Sequence, residues 1–75
     1  MIIDLNIILI ETDDTEILTA RMRLHRNRLL AESDWTQLPD ATVDQTAWAT
    51  YRQQLRDLPS TWAPGPIVEF PDQPT

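Results

Sequence analysis

The sequence predicts a mainly α-helical fold with minor β structure, in which an N-terminal strand precedes a two-helix hairpin and an extended, proline-rich tail. Three observations predict it. Apolar residues alternate along residues 2–10, two later stretches combine helix-capping patterns with apolar residues at helical spacing, and most prolines and the sole glycine come near the end. We expect one small domain, with a strand arm at residues 1–11, the hairpin at 12–58 and the tail at 59–75.

Residues 2–10 form the predicted strand, because β-branched isoleucines dominate the run and its side chains alternate in type. One face of this strand is wholly apolar and consists of Ile3, Leu5, Ile7 and Leu9. The strand pairs either with residues 67–70 of the tail or with a partner protein, and the pattern leaves both open. No basic residue precedes this short run, so we expect neither a signal peptide nor a membrane span.

The first helix is predicted from Asp13, which forms a capping box with Glu16, to about residue 32. Its apolar residues fall in two stripes instead of one. The first stripe comprises Leu18, Met22, His25 and Leu29, and the second comprises Ile17, Ala20, Leu24 and Ala31. Two stripes indicate two neighbours. One neighbour is the second helix, and the other is the N-terminal strand or another protein.

A turn at residues 33–41 separates the two predicted helices. The second helix is predicted at residues 43–58, after a capping box formed by Thr42 and Gln45. We expect Pro59 to end this helix, because proline lacks the amide proton that helical hydrogen bonding needs. The apolar stripe of the second helix consists of Trp48, Tyr51, Leu55 and Leu58.

The tail is expected to be extended chain that can hold one short strand at residues 67–70. Trp62 lies among the tail prolines and either packs back on this chain or contacts a partner. Trp48 is expected in the core, and Trp35 is expected to fold back between the helices with its indole N–H on a turn carbonyl. Arg52 follows Trp48 by one helical turn and either stacks on that ring or pairs with a carboxylate across the hairpin.

Charge and composition argue against several classes of function. The net charge is −6 and all six basic residues are arginines, so we expect neither a nucleic-acid partner nor a membrane partner. A chain with no cysteine and one histidine holds no zinc motif. His25 lacks the converging partners of a general base, and the acids Asp13, Asp14 and Glu16 fit helix capping better than calcium binding. We therefore expect no catalytic residue, no cofactor and no metal.

Several motifs stand in register along the hairpin and the tail. Residues 26–35, RNRLLAESDW, are an arginine-rich helix end followed by a Ser-Asp-Trp turn, and residues 38–40, LPD, form the next turn. Residues 48–59, WATYRQQLRDLP, follow as the second helix, and a proline-rich end closes the chain. Together these motifs, over roughly residues 21–71, resemble the phage tail assembly chaperone family.

The resemblance implies a non-enzymatic chaperone that binds a phage tail or tail-fibre protein, near its C-terminal region, and assists its folding, trimerisation or attachment in the host cytoplasm. It carries over no catalytic residue. The residues expected to define the fold are Asp34, Trp35, Trp48, Tyr51, Arg52, Leu55 and Arg56. The residues expected to contact the partner, through addition of the N-terminal strand to a sheet edge, are Ile3, Leu5, Ile7, Leu9 and, in the tail, Trp62.

Two other classes of function stay open at this point. The chain is also compatible with a structural tail or tail-fibre component that is retained in the virion, and with a small acidic regulator or inhibitor of a host protein. A domain this small, without a disulfide, is only marginally stable alone. We therefore expect it to gain stability from a partner chain or from self-association on the fibre.

Overall fold

Two helices and a two-stranded sheet make up residues 1–7 and 10–74, the part of the chain that the computed structural model describes. The elements in chain order are strand β1 (Ile2–Asp4), helix α1 (Thr15–Ser33), a 3-10 turn (Asp34–Gln37), helix α2 (Gln45–Thr61) and strand β2 (Ile67–Glu69). The predicted mainly helical class, with an N-terminal strand ahead of a helical hairpin, is confirmed.

The N-terminal strand pairs within its own chain, which is one of the two arrangements that the sequence pattern left open. Strands β1 and β2 run antiparallel, with Ile3 opposite Val68. The ladder continues beyond the strands, because the Phe70 N–H donates to the Met1 carbonyl at 2.7 Å. The tail therefore closes the fold by returning to the start of the chain.

Strand β1 is shorter than the predicted strand at residues 2–10, because a turn begins at Asp4. The Asp4 carboxylate accepts a hydrogen bond from the Asn6 N–H at 2.9 Å, and the Asp4 carbonyl accepts one from the Ile7 N–H at 3.3 Å. An aspartate side chain that bonds the backbone two residues ahead favours a turn over strand pairing. In the described part of the predicted strand, pairing therefore ends at Asp4, and residues 8 and 9 of that prediction lie outside the described residues.

Helix α1 is capped by Asp14 and not, as predicted, by Asp13. The Asp14 carboxylate accepts hydrogen bonds from the N–H groups of Glu16 at 2.9 Å and Ile17 at 3.3 Å. These groups have no partner inside the helix, so the aspartate supplies the acceptor that they need.

The two apolar stripes of helix α1 have different environments. The first stripe faces the core, where its residues Leu18, Met22 and Leu29 are buried. The second stripe faces solvent, and its Leu24 is 73% exposed. Within the described chain, only one of the two stripes has the neighbour that the pattern indicated.

Helix α2 begins at Gln45, because the Asp44 carboxylate accepts a hydrogen bond from the Ala47 N–H at 3.0 Å. The predicted cap, Thr42, lies three residues before this start. Both residue types are good caps, and the one whose oxygen reaches the free amide of the first turn sets the boundary.

Helix α2 continues through Pro59 and ends at Thr61, so the predicted stop at Pro59 is wrong. A proline inside a helix removes one backbone hydrogen bond. Pro59 lies in the last turn, where the loss is confined to that single bond and the next donors remain paired. The Trp62 N–H still donates to the Leu58 carbonyl, at 2.9 Å.

The core lies between the two helices and the inner face of the sheet. It consists of Leu5, Leu18, Met22, Leu29, Tyr51, Leu55, Val68 and Phe70. Burial of a side chain of this size stabilises the fold by roughly 1.5–3 kcal/mol. Three of the core residues, Leu5, Val68 and Phe70, lie in or next to the short strands, so these strands contribute to the stability of the fold.

Candidate interaction surfaces

The junction between α1 and α2 is held by Arg52, which is only 8% exposed. Its guanidinium donates to the Leu30 carbonyl at 2.7 Å, to the Ser33 hydroxyl at 2.8 Å and to the Asp34 carboxylate at 2.6 Å. The expectation of a carboxylate partner across the hairpin describes this contact, but the arginine is buried and not at the surface. The Leu30 carbonyl belongs to the last turn of α1, where helix carbonyls need an outside donor.

Ser33 and Thr36 complete this junction from the other side of the turn. The Ser33 hydroxyl donates to the Leu29 carbonyl at 2.8 Å, and the Thr36 hydroxyl donates to the Ser33 carbonyl at 2.6 Å. Both residues are buried. Buried hydroxyls of this kind are stable only when they are paired, so the turn has one well-defined geometry.

Trp35 does not fold back between the helices as predicted, because it is 51% exposed. Its ring centroid lies 6.4 Å from that of Trp48, and the Trp48 ring meets Tyr51 edge-on at 5.6 Å. Tyr51 is buried in the core, Trp48 is half-buried, and Trp35 is outermost. The three rings thus form a series that runs from the core to the surface.

The surface around Trp35 is named here the hairpin tip and comprises Trp35, Leu38, Asp40, Asp44 and Trp48. The side chains of Leu38, Asp40 and Asp44 are exposed. Hydrogen bonds from Gln37 to the Gln45 carbonyl and from Gln45 to the Leu38 carbonyl tie the 3-10 turn to the start of α2. These bonds hold the tip residues at the same end of the hairpin.

The remaining residues that were expected to define the fold divide between core and surface. Leu55 is buried in the core on α2, whereas Arg56 next to it is exposed. Adjacent residues on a helix point about 100° apart, so one can pack inward while the other stays in water.

The residues that were expected to contact a partner differ in how far they are buried. Leu5 is 1% exposed and packs in this chain's own core, and Ile3 is half-buried against that core. Ile7 is exposed, while Leu9 lies outside the described residues. Trp62 is half-buried against the core. Of the described members of this set, Ile7 alone presents most of its side chain to solvent.

The small sheet and the loop after β1 carry exposed isoleucine side chains. Ile2, Ile7, Ile10 and Ile67 are all exposed, and we name them the isoleucine surface. Ile2 and Ile67 lie on the outer face of the sheet, as diagonal neighbours on paired strands. Of these four isoleucines, only Ile7 was among the residues expected to contact a partner.

The two edges of the small sheet differ in their protection. The Trp62 indole N–H donates to the Ile67 carbonyl at 3.2 Å, which covers the outer edge of β2. In the antiparallel ladder the Met1–Phe70 pair is hydrogen-bonded, so the alternation directs the backbone groups of Ile2 away from β2. The same alternation directs the backbone groups of Glu69 away from β1, so both strands have an outward edge, and the Trp62 contact covers one carbonyl on the β2 side.

Arg21 holds the loop after β1 on helix α1, a role that sequence reasoning missed. Its guanidinium donates to the Asn6 side-chain oxygen at 2.7 Å, to the Leu5 carbonyl at 3.2 Å and to the Ile10 carbonyl at 2.9 Å. Asn6 also exchanges two hydrogen bonds with the backbone of Thr12, at 3.1 and 3.2 Å. The position of Arg21 between the two apolar stripes was the available signal for this contact.

His25 is half-buried, and its ring centroid lies 6.2 Å from that of Phe70. Burial, followed by the positive charge of Arg28, lowers the pKa of His25 below its usual 6.5. The neutral imidazole is therefore favoured in the folded chain. This environment matches the expected core position of the histidine.

Within residues 1–7 and 10–74, no group of three or more histidine or acidic side chains is arranged to hold a metal ion. No helix in the same part of the chain is long and apolar enough to cross a membrane.

A family model described as phage tail assembly chaperone protein matches residues 19–75, about three quarters of the chain. The match spans most of α1, the 3-10 turn, α2 and β2, and leaves β1 outside. No curated protein and no solved structure matches the chain. The chain belongs to the phage tail assembly chaperone family and has a role in tail assembly.

Proposed function

We propose that this chain is a non-enzymatic chaperone that binds a phage tail-fibre protein near its C-terminal region, in the host cytoplasm, and assists its folding, trimerisation or attachment. Membership of the family supports the tail assembly role. The observation that carries the binding step is the isoleucine surface beside the outward edge of β1, because exposed apolar side chains next to an accessible strand edge are typical of a partner site.

The partner contributes a strand to the outer edge of β1 in this proposal. The new strand pairs with the backbone of Ile2, and its side chains pack on Ile2 and Ile67. Ile7 keeps the contact role that was expected of the N-terminal run, and Leu9 is retained from the sequence pattern. Ile3 and Leu5 act from beneath, because they anchor β1 to the core. Trp62 acts at the other edge, where it shields β2.

Charge complementarity supports a partner segment that is not acidic. Asp4, Glu11 and Asp13 line a shallow groove of about 570 Å³, together with Pro66 and Ile67. A carboxylate-lined groove beside an apolar face repels acidic segments and favours neutral or basic ones.

The test is co-purification with the tail-fibre protein of the same phage after co-expression. The variant Ile2→Ser with Ile67→Ser removes exposed apolar contacts without opening the core, and we expect it to weaken capture at least roughly tenfold. The matched control is Leu24→Ser, which alters an apolar residue that is exposed on α1 instead. Undiminished capture by the double variant, with circular dichroism unchanged, would contradict the assignment of this surface.

Mass spectrometry of purified particles separates the proposed chaperone from a structural subunit. We expect the chain to be absent from finished virions, because an assembly factor leaves once its client is folded or attached. A fixed ratio of this chain to the tail-fibre protein in virions would instead favour a retained component.

A further inference from the structure

We propose that the hairpin tip is a second docking surface, which binds an arginine-bearing segment of the tail protein by stacking the guanidinium on Trp35. The inference rests on the proposed tail-protein partner but not on the isoleucine surface, which lies on different elements. The two surfaces are therefore separable by mutation.

The first observation is an inversion of the usual burial at the turn between the helices. Thr36 is 0% exposed, whereas its neighbour Trp35 has half of its surface in solvent. Large aromatic side chains are normally buried in preference to threonine. The backbone of Trp35 serves the turn, because its carbonyl accepts from the Leu38 N–H at 3.2 Å, but this contact does not require an indole. The exposed ring is thus unexplained by the fold.

The second observation is that the ring is supported from below. Trp48 lies against Trp35 and is itself braced edge-on by the buried Tyr51. A rigid aromatic with its face in water contributes contact area at a small cost in conformational entropy, which is why tryptophan is common at binding hot spots. The exposed Leu38 extends the apolar area of the tip.

The third observation is the local charge, which selects the occupant. No basic residue occurs between Arg28 and Arg52, whereas that stretch contains the acids Glu32, Asp34, Asp40 and Asp44. Glu32 is paired with Arg28, and Asp34 is paired with Arg52. Asp40 and Asp44 are exposed at the tip, and Asp44 also caps α2. Exposed carboxylates at the same end of the hairpin as an exposed indole favour a cation, and arginine stacks on indole better than lysine does.

The same charges disfavour a second copy of this chain as the occupant. Two tips brought together would place the exposed carboxylates of both copies side by side, in a protein whose net charge is already −6. An arginine-bearing segment instead neutralises these carboxylates and covers Trp35.

The direct test uses the synthetic peptide acetyl-Arg-Leu-Arg-Leu-amide and a matched peptide with citrulline, the neutral isostere, in place of arginine. Titrations are followed by the three indole N–H signals in nitrogen–proton NMR spectra. We expect the Trp35 and Trp48 signals to move while the Trp62 signal stays, and the citrulline peptide to bind at least about tenfold more weakly. Equal binding of the two peptides, or equal movement of all three signals, would overturn the proposal.

Two variants and one assembly measurement complete the test. Asp40→Asn with Asp44→Asn removes the charge and keeps a capping oxygen on α2, so we expect it to fold and to lose most of the arginine preference. Trp35→Ala is expected to weaken capture of the tail-fibre protein at least roughly tenfold. Sedimentation equilibrium tests whether a second copy of this chain occupies the tip instead. A wild-type dimer that Trp35→Ala dissociates would assign the tip to a second copy and overturn the proposal.

The outcomes also separate this proposal from the proposed function. If the isoleucine variants lose the tail-fibre protein and Trp35→Ala retains it, the tip proposal is wrong and the chaperone proposal stands. If the wild-type chain captures no tail-fibre protein while the arginine peptide binds the tip, the docking chemistry stands and the client assignment fails.

Discussion

Replacing Arg52 tests whether buried hydrogen bonding at the helix junction determines the fold. Arg52→Ala removes three hydrogen bonds of 2.6–2.8 Å from a side chain that is almost fully buried. The ion pair with Asp34 adds little, since the Asp34 side chain is 67% exposed and water screens it. The main loss is therefore the pairing of the Leu30 carbonyl and the Ser33 hydroxyl.

A hydrogen bond from a charged donor contributes roughly 1.5–3 kcal/mol. The expected cost of Arg52→Ala is about 2–4 kcal/mol, below the sum of its bonds, because the Leu30 carbonyl still accepts from the Ser33 hydroxyl and that hydroxyl still donates to the Leu29 carbonyl. This range overlaps the lower part of the loss at a fully buried ion pair, about 3–5 kcal/mol. A chain of 75 residues has a free energy of unfolding of about 4–11 kcal/mol, so this variant loses a large fraction of its stability.

The assay is urea unfolding followed by far-ultraviolet circular dichroism, with Arg56→Ala as the control at an exposed position of the same helix. We expect Asp34→Asn to cost under about 1 kcal/mol, because it removes the screened charge and keeps an oxygen acceptor. The reasoning is refuted if Arg52→Ala unfolds like Arg56→Ala, or if Asp34→Asn costs as much as Arg52→Ala.

Three further perturbations have defined outcomes. Leu55→Ala, which empties a fully buried site, should cost about 2–5 kcal/mol in urea unfolding, whereas Leu24→Ala on the exposed stripe should change it by under about 0.5 kcal/mol. Arg21→Ala should cost about 1–3 kcal/mol and speed hydrogen exchange at the Thr12 amide, and exchange at the wild-type rate would contradict the anchoring role. Because burial and then Arg28 lower the pKa of His25 in the folded state, its contribution to stability is present above pH 6.5 and is lost as the pH falls through 6.5 towards the lower folded value. His25→Gln should remove that part of the pH dependence of the urea midpoint, and an unchanged slope would show that other groups produce it.

The helices could be predicted from sequence because their signals are local. Apolar spacing identified the buried stripe of α1, and that stripe packs inward as expected. The exact starts were harder, because Asp13 and Asp14, or Thr42 and Asp44, are neighbouring cap candidates with similar chemistry. Only the position of each oxygen relative to the free amides selects one of them.

The burial and exposure of the side chains at the candidate surfaces depended on long-range contacts, which a local sequence pattern does not contain. The acceptors of Arg52 lie about twenty residues away on another helix, so its burial follows from the crossing of the helices. The exposure of Trp35 follows from the 3-10 turn, which directs Thr36 inward in its place. The length of β1 depended on whether the Asp4 carboxylate binds water or accepts a hydrogen bond from the Asn6 amide, which starts the turn.

Strand β1 lies outside the residues that the family model matches, but it pairs with β2, which lies inside them. The matched residues 19–75 include β2 but no second strand, and a lone strand leaves one row of backbone groups without partners. In this chain β1 supplies that row of partners from outside the matched region, and Leu5 brings a core side chain with it. Arg21, inside the matched region, then fixes the loop that follows β1. The hairpin thus carries its own anchor for the loop after β1, and the strand that completes the core is also the one whose outer edge we propose as the site of partner pairing.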